Sequence, residues 1–311
     1  MRNLREELKE PVLRLSNRPS EFQCILDLRQ PCCHGRGYKI STSGQYTIAA
    51  LCDCVKSCAR CYGKARMIDG STSKSCRERS PLTYVNQINR ASIPSRYGWA
   101  NLGKFNNFSG NGKDVVNSVR NWCRSYQPQK SKGLILGGTV GVGKTFLVAA
   151  LAFEMIGRGY SVKFVDFFEL TVELRAAFSN AQSDSSIIRP LIDVDILIID
   201  ELGKGQKTEW EISVLDQLVM GRYNQKKIIV ASTNYGLFSG QRHKTHGNER
   251  QEQEFCLDES ASLESRVESR VYSRLVEMSS FIDMTGDNFR KRLSKTLMEL
   301  PSPRELPGTH H

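Results

Sequence analysis

The stretch "GTVGVGKT", residues 138–145, decides how the rest of this chain is read. It fits the spacing G-x-x-x-x-G-K-[ST], in which glycines let successive backbone N–H groups converge on phosphate oxygens. The motif carries meaning only between a strand and a helix. Both neighbours are present: "GLILGG" (133–138) is a short apolar run, and "TFLVAALAFEMIGRG" (145–159) reads as a strong helix. Gly138, Gly141 and Gly143 free the loop backbone, Val142 lies between the last two, and Phe146 follows the motif. These residues are the predicted nucleotide contacts. Lys144 is placed to pair with β- and γ-phosphates and the Thr145 hydroxyl to hold Mg²⁺, while the helix N-terminus adds its positive end.

Outward from this loop, strands alternate with helices. "SVKFVD" (161–166), "DILIID" (195–200) and "KIIVAST" (227–233) read as strands, and "FFELTVELRAAF" (167–178) and "EWEISVLDQLVMGRY" (209–223) as helices. Continuous apolar strands of this kind belong to a parallel sheet covered on both faces, so the fold class is α/β. Asp200 and Glu201 close one buried strand, where solvated acids would be the bland account. Beside a phosphate loop, Asp200 suits support of Mg²⁺ and Glu201 suits activation of a water. Asn234 ends the next strand in "VASTN" and can orient that water or sense the γ-phosphate, although such an asparagine also serves as a turn residue. In "LESRVESRVYSRL" (263–275), Arg266, Arg270 and Arg274 are spaced by four, which predicts one helical face. That face is either solvated or able to offer an arginine across a subunit boundary. "DMTGDNFRKRL" (283–293) reads as a loop entering a helix, with Arg290 in its first turn.

With 311 residues the chain is long enough for two domains, and 39% hydrophobic residues suffice for a core. No apolar run approaches the roughly 18–20 residues that span a bilayer, and "MRNLREELKE" lacks an apolar leader core. The expected location is the cytoplasm, without membrane association. Residues 1–90 carry 16 Lys and Arg against 8 Asp and Glu, most of the net charge of +11. Such a basic arm fits nucleic acid, an acidic protein surface, or plain solubility.

Six cysteines and His34 crowd residues 31–63. "CARCYG" (58–63) has the C-x-x-C-x-G spacing of a zinc knuckle, while "CCHGRGY" supplies half of one, with Gln30 where a cysteine is wanted. The expected Zn²⁺ ligands are Cys33, Cys54, Cys58 and Cys61, with Cys32 and Cys52 as substitutes. Reactive thiols and disulfides remain open, the latter disfavoured in a reducing compartment. The expected organisation is therefore residues 1–63, a short helix (3–15) with a cysteine-rich domain; 64–90, a polar linker; 91–300, the nucleotide domain; and 301–311, a tail. A polar loop is expected over 240–262.

Together, "SIPSRYGWANLGKF" (92–105), "GGTVGVGKTFLVAALA", "DILIIDELG", "ASTN", "SRVYSRL" and "GDNFR" resemble the helicase-loader branch of the AAA+ ATPases, of the DnaC/DnaI type, and its transposition relative IstB. The likeness covers residues 91 to 299, and its P-loop and Asp-Glu pair are its most specific parts. It implies a three-layer α/β/α domain behind a small zinc-binding domain that grips a partner. It also implies Walker A roles for Lys144 and Thr145, Walker B roles for Asp200 and Glu201, and sensor roles for Asn234 and Arg290. Arg270 matches the arginine finger that acts in trans and Arg274 the second arginine of that box, with Arg266 an alternative register. A helix within 167–194 would contact single-stranded DNA, with Phe167, Phe168, Phe178 and Arg175 as candidates. The resemblance implies an ATP-dependent loader of a hexameric, DnaB-like replicative helicase onto single-stranded DNA, self-associating through the ATP and arginine-finger interface. An IstB-like transposition helper on duplex DNA and a nucleotide-switched binding module with little hydrolysis are the alternatives.

Overall fold

Residue alternation along the buried strands sets the architecture. The computed structural model describes residues 37–42, 44–52, 66–69, 72–75, 81–106, 109–179, 185–238 and 262–290. In chain order the elements begin with β1 (Tyr38–Ser41), β2 (Ile48–Leu51), β3 (Arg66–Asp69), β4 (Thr72–Ser75), α1 (Pro81–Ala91) and α2 (Gly112–Ser125). The nucleotide region follows with β5 (Gly133–Gly138), α3 (Lys144–Gly157), β6 (Val162–Asp166), α4 (Phe167–Ser179), α5 (Ser185–Asp193) and β7 (Ile196–Asp200). The last elements are α6 (Glu209–Asn224), β8 (Ile228–Ser232), α7 (Leu263–Val267), α8 (Ser269–Met278) and β9 (Ser279–Met284).

Five strands form one sheet in the order β6-β7-β8-β5-β9, and every pairing is parallel. Successive side chains leave a strand on opposite faces, so each strand feeds two cores. Leu134, Leu136, Ile196, Ile198, Ile228 and Val230 pack with Ile88 of α1, Val119 of α2 and Leu147, Leu151 and Met155 of α3. Ile135, Leu197, Ile199 and Ile229 pack on the other face with Leu174 of α4, Leu191 of α5, Leu218 of α6 and Leu275 of α8. Both faces are dry, which gives the expected three-layer α/β/α arrangement. No helix among the described residues is long and apolar enough to cross a membrane.

Arg222, in the last turn of α6, is fully buried. It donates to the carbonyls of Leu191, Ile192, Val194, Asp195 and Ile228 at distances from 2.5 to 3.1 Å. Two of these carbonyls, of Leu191 and Ile192, lie in the last turn of α5, where backbone acceptors have no helical partner. One guanidinium therefore fastens α5 to the start of β7 and of β8.

The N-terminal half departs from the expected organisation. Residues 81–90 are no linker: they lie in α1, whose Tyr84, Val85, Ile88 and Ala91 are buried in the core shared with α3. Four apolar side chains on one helical face outweigh the polar residues between them. β1 and β2 form an antiparallel hairpin fastened to α1 and the segment after it. Asn89 accepts from the Ala49 N–H at 2.7 Å and donates to its carbonyl at 3.0 Å. The Thr47 N–H reaches the Ile93 carbonyl at 2.7 Å, and Ala49 and Cys52 enter the same core. The described residues of 37–52 thus pack with α1 and α3 rather than as a separate unit. Cys52 is a buried free thiol packed in this hydrophobic core. Cys32, Cys33, Cys54, Cys58 and Cys61 lie outside the described residues, as do the expected helix at 3–15 and the tail at 301–311. Among the described residues no group of three or more His, Cys, Asp or Glu side chains could hold a metal ion.

Beyond residue 91, three further elements were not foreseen. α2 and α5 complete the helical layers, and β9 adds the fifth strand beside β5. Residues 283 and 284, read as loop, end that strand.

Candidate nucleotide site

The functional residues collect at the carboxyl edge of the sheet, where parallel α/β folds bind ligands. α3 starts at Lys144, directly after Gly143, whose φ of 108° is open to glycine and strained for other residues. A β-carbon there would also come within 2.7 Å of the Phe105 ring. Val142 is buried in the core, so only its backbone is available to the loop. The Lys144 ammonium is buried and donates to the carbonyls of Gly138 at 2.6 Å and Thr139 at 2.7 Å. Burial lowers its pKa to about 8; the charges of Asp200 and Glu201 oppose that shift, and the Arg290 charge adds to it.

Thr145 Oγ1 donates to Asp200 Oδ1 at 3.2 Å, and the Ser232 hydroxyl donates to the same oxygen. Burial raises the Asp200 pKa to about 6; the Ser232 and Thr145 hydrogen bonds work against this, and the Glu201 charge works with it. A hydroxyl and a poorly solvated carboxylate side by side form a hard oxygen pair, the chemistry Mg²⁺ selects. These residues fit the ion that the loop implies.

Glu201 is the first residue past β7 and has a left-handed φ of 54°. Its carboxylate pairs with Lys204, a residue the sequence reading did not single out. β8 lies between β5 and β7, and the Thr233 N–H reaches the Leu136 carbonyl at 2.9 Å. Asn234, half-buried, follows Thr233 and so stands between the phosphate loop and the Glu201 turn. Arg290 is brought to the same loop from the other side. The Phe289 N–H bonds to the Gly141 carbonyl at 3.0 Å, and Asn288 accepts from the Arg290 N–H at 3.0 Å. Trp99, 56% exposed, leans on Phe146 with ring centroids 5.1 Å apart, and Phe105 lies 6.0 Å from Phe146. An open aromatic face beside a phosphate loop suits a nucleobase. Trp99 and Phe105 are in the lead-in segment already quoted, yet their proximity to Phe146 is a tertiary fact.

The arginine series does not share one helical face. Glu268, at φ 67° and ψ 151°, breaks the helix between α7 and α8. Arg266 turns inward, donating from Nε to the Gly203 carbonyl at 3.0 Å and from NH2 to the Gly205 carbonyl at 2.6 Å. It is therefore placed away from a finger's position. Arg270 and Arg274 flank Asp216, each at 3.6 Å, but the Arg270 side chain is 67% exposed and that of Arg274 only 21%. Arg270 is the outward one of the three.

Among the aromatic candidates for DNA, Phe167 is buried in the core and so is removed from a stacking role. Phe168 is 44% exposed. Arg175 is engaged with Glu211 at 2.9 Å and lies over the Trp210 ring, while the Phe178 side chain is outside the described residues.

A family described as IstB-like ATP binding protein matches residues 79–249. The replicative helicase loader DnaI of Bacillus subtilis is 28% identical over 174 residues, 55% of this chain and 52% of that protein. The replicative helicase loader DnaC of Escherichia coli is 31% identical over 101 residues, 32% of this chain and 41% of its own. The insertion sequence ATP-binding protein y4iQ/y4nD/y4sD of Sinorhizobium fredii is 33% identical over 103 residues, 33% of this chain and 34% of its own. A crystal structure of the DnaC helicase loader superposes with a TM-score of 0.50 at 25% identity, covering 61% of this chain and 99% of that one. The matches span about a third to a half of the curated relatives' lengths.

Proposed function

The chain belongs to the IstB-like ATP binding protein family, and we propose that it is an ATPase that loads a ring-shaped replicative DNA helicase onto single-stranded DNA. The observation that carries the reading is the convergence of Lys144, Thr145, Asp200, Glu201, Asn234 and Arg290 on one sheet edge. Similarity to DnaI over more than half of this chain supports the loader role.

In this reading the backbone of Gly141–Gly143 and the start of α3 cradle the phosphates, and Lys144 transfers its ammonium from loop carbonyls to phosphate oxygens. Thr145, with Asp200 behind it, would hold Mg²⁺, which would supply positive charge against that building on the phosphate. Glu201 takes a proton from the water that attacks the γ-phosphorus, and Asn234 orients that water. The bond to the bridging oxygen breaks and ADP leaves. Arg290 completes the site within the subunit. Arg270 reaches the nucleotide of an adjacent copy, so subunits associate head to tail. Cys33, Cys54, Cys58 and Cys61 would hold Zn²⁺ and give the N-terminal part its grip on the partner; the knuckle spacing supports this.

The test is association of the purified chain with its host's replicative helicase, measured with and without ATP. ATP-dependent capture is expected, and its absence in both conditions refutes the loader reading. Glu201→Gln should keep ATP binding while losing roughly 10²–10⁴-fold in turnover. Cys58→Ser should lose zinc; unchanged metal content refutes the ligand set. The likeness to an insertion sequence ATP-binding protein favours a second reading, a transposition helper. ATP-dependent assembly on duplex DNA without helicase binding would select it.

A further inference from the structure

Arg266 lies where three working segments meet. Its two hydrogen bonds end on the Gly203 and Gly205 carbonyls, at 3.0 and 2.6 Å. Those carbonyls belong to the turn that opens at Glu201: the Lys204 N–H returns to the Glu201 carbonyl at 2.9 Å, and the Lys204 ammonium pairs with the Glu201 carboxylate. The Arg266 guanidinium also lies 5.1 Å from the centre of the Tyr235 ring. Tyr235 is buried and directly follows Asn234. One side chain thus touches both the turn of the proposed base and the loop of the proposed water-orienting asparagine.

Its backbone connects to a third segment. α7 joins α8 through Glu268 alone, in a region of φ and ψ almost confined to glycine. A residue stays there only when its surroundings over-determine it. Here Ser269 Oγ donates to Glu264 at 3.1 Å, the Tyr272 N–H reaches the Glu268 carbonyl at 2.9 Å, and Val267, Val271 and Leu275 are buried together. The two helices are held as one piece, and Arg270 projects from it with 67% exposure.

The bland account is that Arg266 satisfies two carbonyls under a tight turn. A planar fork on two carbonyls, however, fixes orientation as well as distance, and this fork fixes the base turn relative to the helix pair bearing Arg270. We infer that Arg266 is a positioning residue that ties the Glu201 turn of one subunit to the Arg270 which that subunit offers its neighbour. The state of one nucleotide site then sets the pose of the arginine at the next. This rests on the reading of Arg270 as acting in trans.

The experiment mixes two full-length variants. Glu201→Gln subunits can donate Arg270 but cannot hydrolyse; Arg270→Ala subunits retain Glu201 but donate no arginine. The mixture should recover turnover that neither variant shows alone. Adding Arg266→Met to the Glu201→Gln donor should cut the recovered rate at least fivefold, with Arg266→Lys giving back part of it. ATP affinity of the donor, read with a fluorescent analogue, should stay within twofold and confirm a folded site. An unchanged rate with the Arg266→Met donor overturns the coupling while leaving the trans arginine intact. A parent mixture that recovers nothing overturns the trans arginine itself, and the coupling with it.

Discussion

Replacing Asp200 with asparagine should make the ligand-free protein more stable while disabling it. In the fold Asp200 is 6% exposed, and burial moves its pKa from the ordinary 3.8 to about 6. A folded-state pKa above the unfolded one means the folded protein binds the proton more tightly, so stability drains away as pH rises through this window. The ionised carboxylate at neutral pH then costs on the order of 3 kcal/mol. Asparagine keeps an oxygen for the Ser232 and Thr145 hydroxyls but brings an amide donor that needs a partner, at about 1–3 kcal/mol. A net gain of about 1 kcal/mol corresponds to a rise in Tm of about 2–4 °C for a domain of this size. The assay is thermal melting of both proteins without nucleotide, from pH 4 to 8. The variant's advantage should be absent near pH 4, open up to about pH 6 and stay level above it, while Mg²⁺-ATP no longer raises its Tm as it does for the parent. A variant that melts below the parent at pH 7, or an advantage independent of pH, would refute the reasoning.

The pH profile of kcat/KM for ATP should be bell-shaped, because Asp200 is protonated below about 6 and Lys144 loses its charge above about 8; a rate flat from pH 5 to 9 contradicts these assignments. Arg222→Met strips five carbonyls of their donor and should cost at least about 3 kcal/mol in urea unfolding, since each buried acceptor left unpaired costs about 1–3 kcal/mol; a loss of less than about 1 kcal/mol counts against the role of Arg222 in fastening α5. Glu268→Gly relieves the φ of 67° and should stabilise the fold by on the order of 1 kcal/mol after glycine's extra freedom in the unfolded chain. Glu268→Ala, which shares the strain, should show no such gain in Tm.

The parts of the fold legible in the sequence are those whose burial is two-sided. "DILIID" and "KIIVAST" declare themselves because a parallel strand covered on both faces has no polar position to spare. β9 hides because "SSFIDM" is an edge strand with only its end residues fully buried, and it follows α8 without a turn. α1 hides because its apolar face comes after a polar stretch of Ser, Gly and Pro. For the site, spacing locates Lys144, Thr145 and Asp200, which the fold brings into one cluster. Spacing fails at the arginines, since a repeat of four assumes an unbroken helix. Glu268 breaks it with a backbone conformation that no residue preference advertises. The packing of Cys52 is equally hidden: cysteine density suggests a ligand, whereas a buried thiol is also an ordinary small hydrophobe.

The hairpin stitched to α1 moves the border of the nucleotide-binding body well upstream of the phosphate loop. Ala49 and Cys52 of the hairpin segment and Ile88 of α1 share one core with Leu147 and Leu151 of the phosphate-loop helix. A truncation begun at residue 91 to isolate that body would cut these three side chains out of its interior and leave the apolar faces of α3 they cover open to water.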